Sequence, residues 1–412
     1  MLVHPAIAES GFAALSATTS CPAAAQDLPA PAVMCPDLLL RFGEVSDGRC
    51  DQGRVHPVAV VLALCAAAVV AGMASFTAIA GWVTDVPAEL LAQLYGRCAA
   101  APSKATIWRV VTGADAAAVD AVIGAWLAGQ AAARQSAARG PHGESPELVA
   151  IAVDGKTVRG ATDTEGNQVH LLAAATHHNS LVLGQVQVGA KTNEIPMFAP
   201  LLDELAATGI DLTSAVITAD ALHTQRAHAE YLHERGAGFV FTVKQNQPTL
   251  FAALDTLAWS AVPLAAREVD TSHGRVTTRT IQVLPAPADL PFPHVNQVWL
   301  IERYTTDPAG RPLSAVAALG VTNLPAQPGT PQCLASLVRH HWGIESLHWL
   351  RDTLYHEDNS TIRTRSGPRV MAALRNLAIG AIRLTGRRDI TEATRSASRD
   401  MHRPFKILKL TS

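Results

Sequence analysis

Paired cysteines are missing from this 412-residue sequence. Cys21, Cys35, Cys50, Cys65, Cys98 and Cys333 form no C-x-x-C pair and show no zinc-ligand spacing with histidine, which excludes a metal knuckle and a disulfide framework. Reduced thiols are the expected state. Charge is scarce as well: 17% of residues are charged against 48% hydrophobic, the opposite of a disordered chain. Disorder is therefore expected only at ends and linkers. There is no excess of positive charge, since 33 Lys plus Arg stand against 35 Asp plus Glu. The first residues also lack a basic start, so no signal peptide is expected. One run, Val58 to Trp82, has no charged residue and is long enough to cross a bilayer. It is dominated by alanine, carries Ser75, Thr77 and two glycines, and has no flanking Lys/Arg cluster. A buried helix pair is the expectation, and no membrane partner. A membrane-associated regulatory protein built on this run is the competing reading.

What is there is unevenly placed. From Arg339 to Ser412 there are 14 Lys plus Arg and 7 Asp plus Glu, a net of +7 that leaves −9 on the rest. A basic end beside an acidic remainder suits phosphate contact next to carboxylate chemistry. The length predicts two domains, one with an insertion. Residues 1–34, rich in Ala, Ser and Pro, read as a disordered tail, and 35–129 as a small all-α N-terminal domain for DNA-end binding. In that domain, Ser103 is a plausible N-cap for a groove-entering helix through Arg109. Residues 130–146 read as a linker.

After residue 147 the pattern turns to strands: Leu148 to Val153, His170 to Thr176 and Leu181 to Val188. A helix follows at Glu194 to Leu205, a strand at Ser214 to Ala219, a helix at His223 to Arg235 and a strand at Gly238 to Val243. Three antiparallel strands and then helix-strand-helix-strand is the order of a ribonuclease H-like domain, giving an α/β fold class for 147–412. Residues 267–323 read as a β-rich insertion in it, and helices resume at Cys333.

Asp154 follows the first strand, and Asp220 follows the fourth. In that order the two strands are neighbours, so both carboxylates emerge together where they can share divalent ions. Two-metal phosphoryl transfer needs such a cluster, because ions about 3.5 to 4 Å apart stabilise both the attacking and the leaving oxygen. Mg2+ suits carboxylate, phosphate and water ligands, with Mn2+ as a substitute. Glu345, in the word from His340 to Trp349, is the best third acid, with Asp352, Glu357 and Asp358 close behind it in sequence. Lys156, Lys191 and Lys244 flank strands on the carboxylate side, either as point charges for phosphate or as salt-bridge partners of the acids. The histidines 177, 178, 340, 341 and 348 fit no closed tetrahedral set.

Five ordered words carry a resemblance: Val153 to Lys156, Lys191 to Ile195, Thr218 to Ala221, Val243 to Gln247, and His341 to Glu345 with Leu347 to Trp349. From about Arg49 to the C-terminus the chain resembles the D-D-E transposases of the ISAs type, which include the H-repeat-associated proteins. The resemblance implies a ribonuclease H-like catalytic domain in which Asp154, Asp220 and Glu345 hold two Mg2+ ions. It implies hydrolysis at the ends of an insertion sequence, strand transfer into target double-stranded DNA, a homodimer on DNA, and a cytoplasmic, nucleoid-associated location. A decayed nuclease of the same fold, cutting without joining, is the alternative. Relatives often place a Tyr, an Arg and a Lys around the Glu. Here His341 stands four before it and Asp352 seven after, with Arg339 and Arg351 near enough to substitute. Arg363, Arg365, Arg369 and Arg375 are expected on helices that track the DNA backbone rather than read bases.

Overall fold

The computed structural model describes residues 38–50, 54–138, 149–162, 165–272 and 274–411. The expected tail and the second half of the expected linker lie outside them. The chain begins with α1 (Leu38–Phe42), α2 (Val58–Val70), α3 (Phe76–Thr84), α4 (Ala88–Tyr95), α5 (Lys104–Gly113) and α6 (Ala116–Ala138). The uncharged run is thus a helix pair, α2 and α3, joined by a turn at Gly72 with φ 89°. Every α2 residue from Val60 to Val70 is at most 3% exposed, as expected of a helix that is apolar all round. Its 13 residues span about 20 Å, short of a bilayer core of about 30 Å. Among the described residues, one helix is long and apolar enough to cross a membrane, over Ala116–Ser136 in α6.

α6 runs on to Ala138, into the expected linker. The Ala, Arg and Gln that suggested loose chain are strong helix formers, and the lone Gly129 does not break them. α6 lies on the sheet so closely that a Cβ on Gly124 would sit 1.8 Å from the Leu183 carbonyl oxygen. Gly124→Ala is expected to lift the helix and cost about 1 to 3 kcal/mol, read as a lowered thermal midpoint. An unchanged midpoint would show that this contact is loose.

The middle of the chain alternates: β1 (Val149–Thr162), β2 (Gln168–Thr176), β3 (Val182–Val188), α7 (Phe198–Ala207), β4 (Ala215–Ala219), α8 (Arg226–Glu234), β5 (Gly238–Val243) and α9 (Pro248–Asp255). A meander follows in β6 (Ala266–Ser272), β7 (Arg275–Pro285), β8 (Gln297–Thr306) and β9 (Pro312–Thr322). Among the described residues one nine-stranded sheet forms, in the order β3-β2-β1-β4-β5-β9-β8-β7-β6. β1, β4 and β5 are parallel, and the other pairs are antiparallel. The expected insertion is therefore a continuation of the sheet, joined where Val240 to Val243 on β5 pair with Thr322 to Leu319 on β9. β6 is the edge strand of this β-rich stretch and is mostly exposed, carrying Arg267, Glu268 and Asp270.

The chain closes with α10 (Pro331–His341), α11 (Gly343–Thr353), α12 (Gly367–Leu384), α13 (Ile390–Ser398) and α14 (His402–Ile407). Strand alternation divides β1 between two cores. Ala152 joins a core shared by the N-terminal helices and α12 to α14. Ile151 and Val153 join another, built on Phe198, Leu201 and Phe241. The early helices thus share their core with the last ones, and the sequence boundary at 129 does not separate two cores.

Candidate active site

The parallel ladder between β1 and β4 ends at Val153 opposite Ala219. Asp154 and Asp220 are the next residues on the two chains, so the end of one ladder sets them side by side. β1 does not stop there. It stays paired with β2 out to Thr162, so Asp154 lies within a strand rather than after one. Asp220 leaves β4 and caps the 3-10 turn Ala221–His223, accepting from the Leu222 N–H at 2.9 Å.

Asp154 continues the face of Ala152, toward α11. There His348 Nδ1 lies 3.4 Å from its Oδ2. Glu345 is in the first turn of α11, where the positive end of the helix dipole favours a carboxylate. Burial, then Asp154, then Asp220 push its carboxyl above the usual range, while Lys244 acts the other way. The three acids are thus within electrostatic reach of one another. His341 closes the floor: its Nδ1 lies 3.0 Å from Thr218 Oγ1, which also meets His177 Nε2 at 2.8 Å. Burial holds His341 below its usual pKa, against the pull of Asp154 and Asp220. A cleft of about 1110 Å3 opens over the site, lined among others by Asp220, Lys244, Asn246, Arg303, Trp342 and Glu345.

The other acids near Glu345 in sequence are neutralised. Asp352 receives the Lys156 ammonium at 2.6 Å, and Asp358 lies 3.5 Å from the same nitrogen. Glu357 is fully buried between Arg351 and Arg375, each at 2.7 Å. Burial works against its charge, but the two guanidiniums overcome that and bring the carboxyl down to about 2.

Several residues expected on DNA are corrected by this placement. Arg351 and Arg375 are 0% and 1% exposed, held by Glu357. Arg369 bonds Asp120 at 2.7 Å and the Gln185 carbonyl at 2.9 Å. α12 is a core helix from Val370 to Ile382, and on it Arg375 is buried against Glu357 while Arg369, partly buried, faces Asp120. Lys156 is 8% exposed and committed to Asp352 and Asp358. Arg339 pairs with Glu268 and Asp270 on β6. Arg363 and Arg365 precede α12 and are exposed, Arg363 donating to the Gly160 carbonyl at 2.9 Å. Lys191 and Lys244 are exposed, with Lys244 at the cleft.

Glu194 had no assigned role, although it lies in one of the five words. Its Oε1 is 2.8 Å from His170 Nε2 and its Oε2 is 3.1 Å from His223 Nε2. Burial opposes its charge, and these two histidines overcome that, bringing it to about 2. The signal available in sequence was Gly155: a Cβ there would lie 2.2 Å from Glu194 Oε1.

Two family models match the chain. The transposase DDE domain matches residues 145–380, and the DDE_Tnp_1-associated model matches 39–127. Among curated proteins, "Putative transposase YncI" of Escherichia coli O157:H7 is 29% identical over 350 residues, 81% of this chain and 84% of that one. "Putative transposase YncI" of Escherichia coli strain K12 is 31% identical over 58% of this chain and 93% of its own length. "H repeat-associated putative transposase YhhI" of the same strain is 28% identical over 56% of this chain and 63% of its own.

Proposed function

The chain belongs to the transposase DDE domain family, and on that premise we propose that Asp154, Asp220 and Glu345 are the carboxylates of its reaction. It is an insertion-sequence transposase of the ISAs type, an enzyme acting on DNA by cleavage and strand transfer. The observation that carries the assignment is the register Val153 opposite Ala219, which brings the aspartates together facing a glutamate that both of them perturb. We read β3-β2-β1-β4-β5 as a ribonuclease H-like fold, supported by that strand order.

Divalent-metal dependence goes with the family. That the ion is Mg2+, and that two are used, is our reading of the donors, which are all hard carboxylate oxygens. Among the described residues no three His, Cys, Asp or Glu side chains close on one point. Mg2+ needs no more than one or two carboxylates and keeps waters and substrate phosphate as its other ligands. Bound there, divalent ions offset charge on the attacking and leaving oxygens. The chain's own part is positioning and charge. His348 orients Asp154, the capped turn fixes Asp220, and α11 presents Glu345.

Two displacements at phosphorus make up the reaction: water cuts an element end, and the freed 3′ hydroxyl attacks target DNA. Lys244, exposed beside Asp220 and Glu345, supplies an ammonium for backbone phosphate. Lys244→Ala is expected to weaken duplex binding regardless of sequence and to flatten the slope of log affinity against log salt by about 0.9. An unchanged slope would take Lys244 off the phosphate. α5, capped by Ser103 and exposing Trp108 and Arg109, is our candidate for contact with element ends. Synapsis of two ends calls for a homodimer on DNA, and work on chromosomal DNA for a cytoplasmic location.

The test is plasmid integration with purified protein and end-containing DNA. Joined products in Mg2+, and none in EDTA, are expected. Cut but never joined DNA would favour the nuclease reading, and joining in EDTA would refute the metal reading.

A further inference from the structure

β1 and β4 part company immediately before the two aspartates, so something beyond the ladder must hold the next residues of both chains. Consecutive strand residues face opposite sides. Asp154 faces α11, and Gly155 faces the other core, where the Glu194 carboxylate lies against it. A Cβ on Gly155 would meet Oε1 at 2.2 Å and Cδ at 2.4 Å, so only glycine admits the carboxylate there. One carboxylate oxygen meets His170 on β2, whose Nδ1 in turn lies 2.8 Å from Thr157 Oγ1 on β1. The other meets His223, 1% exposed, in the turn that Asp220 caps. His228 sits behind the same turn, its Nδ1 3.0 Å from the His223 carbonyl and its Nε2 3.0 Å from the carbonyl of Ile195, the residue after Glu194, and as a neutral ring it donates to one of the two.

Resting on the acid-site reading above, we propose that Glu194 is a positioning residue for the reaction. It braces the chain after Asp154 and the turn after Asp220 with a single carboxylate, fixing the separation of the two aspartates from the side of the sheet opposite their carboxyl groups. It is not a fourth ligand, because its two oxygens are spent on histidines and it faces away from Asp154. The Lys191 to Ile195 word acquires a physical reason in this way: it delivers one acid to the underside of the site.

The test is Mn2+ binding, measured by calorimetry on the full chain, beside DNA cleavage across a range of Mn2+ concentrations. Glu194→Ala is expected to weaken Mn2+ about 10- to 100-fold, as loss of a supporting partner does, with cleavage recovering as Mn2+ is raised. Glu194→Gln, which keeps the size and part of the bonding, should fall between it and the native chain. Gly155→Ala pushes the carboxylate aside without removing it, so it should weaken Mn2+ similarly in a chain whose fold does not depend on deleting Glu194. In the double variant Glu194→Ala with Gly155→Ala the losses should not add, because the added methyl no longer meets a carboxylate. Unchanged Mn2+ affinity in Glu194→Ala and Gly155→Ala overturns the proposal, as do fully additive losses. If Asp220→Asn binds Mn2+ as well as the native chain does, the acid-site reading itself fails and the proposal falls with it.

Discussion

Glu345→Gln should fold normally and lose DNA cleavage by about a thousandfold, roughly 4 kcal/mol in the barrier. The residue is exposed overall, shows no ion pair among the described residues, and sits where Asp154 and Asp220 both act on it. The amide has the same shape and cannot supply the charge. Asp352→Asn is the matched control. It also lies on α11, but it faces Lys156 at 2.6 Å rather than the aspartates. Its effect on cleavage should stay within about tenfold, since a partly exposed ion pair contributes modestly. The comparison is a single-turnover cleavage assay on end-containing duplex. Loss in Asp352→Asn with retention in Glu345→Gln would move the third acid about two turns along the helix.

Glu357→Gln should do the reverse and break the fold. Removing the charge leaves Arg351 and Arg375 buried and facing each other, and breaking a buried pair on one side costs about 3 to 5 kcal/mol. The thermal midpoint should fall by on the order of 10 °C. Acid titration should tell the same story. The Glu357 carboxyl is held at about 2, below its unfolded value near 4.5, so its contribution is present above the unfolded value and is lost as pH falls from there toward 2. A Glu357→Gln protein that melts like the native chain but cannot cleave would make Glu357 a reacting group instead of a structural one.

The nearness of Asp154 to Asp220 was legible in the sequence because each follows a short apolar run, and strand order makes those runs neighbours, although β1 continues past Asp154. Glu345 stood out by the tryptophan-flanked word around it, since one acid on a helix beside three others carries little signal of its own. Arg351 and Arg375 could not be placed from sequence, for a physical reason. Periodicity locates a basic helix but cannot tell an arginine facing phosphate from one facing a buried glutamate 18 residues away, as Arg375 faces Glu357. For Lys156 the salt-bridge alternative holds, with partners lying 196 and 202 positions later. The continuity of the sheet through β9 was hidden because the residues of β5 carry no mark of what will pair with them. Gly155 was visible as a glycine beside an acid, but the carboxylate that requires it was not.

Whether Asp154 and Asp220 act as one unit is tested by cleavage kinetics of Asp154→Asn, Asp220→Asn and the double variant, with melting curves alongside. Folded proteins are expected, with a loss of about a thousandfold or more in each single variant and no further loss in the double, because groups that act as a unit are not additive. Substantial cleavage by either single variant, or single losses that multiply in the double, would contradict it.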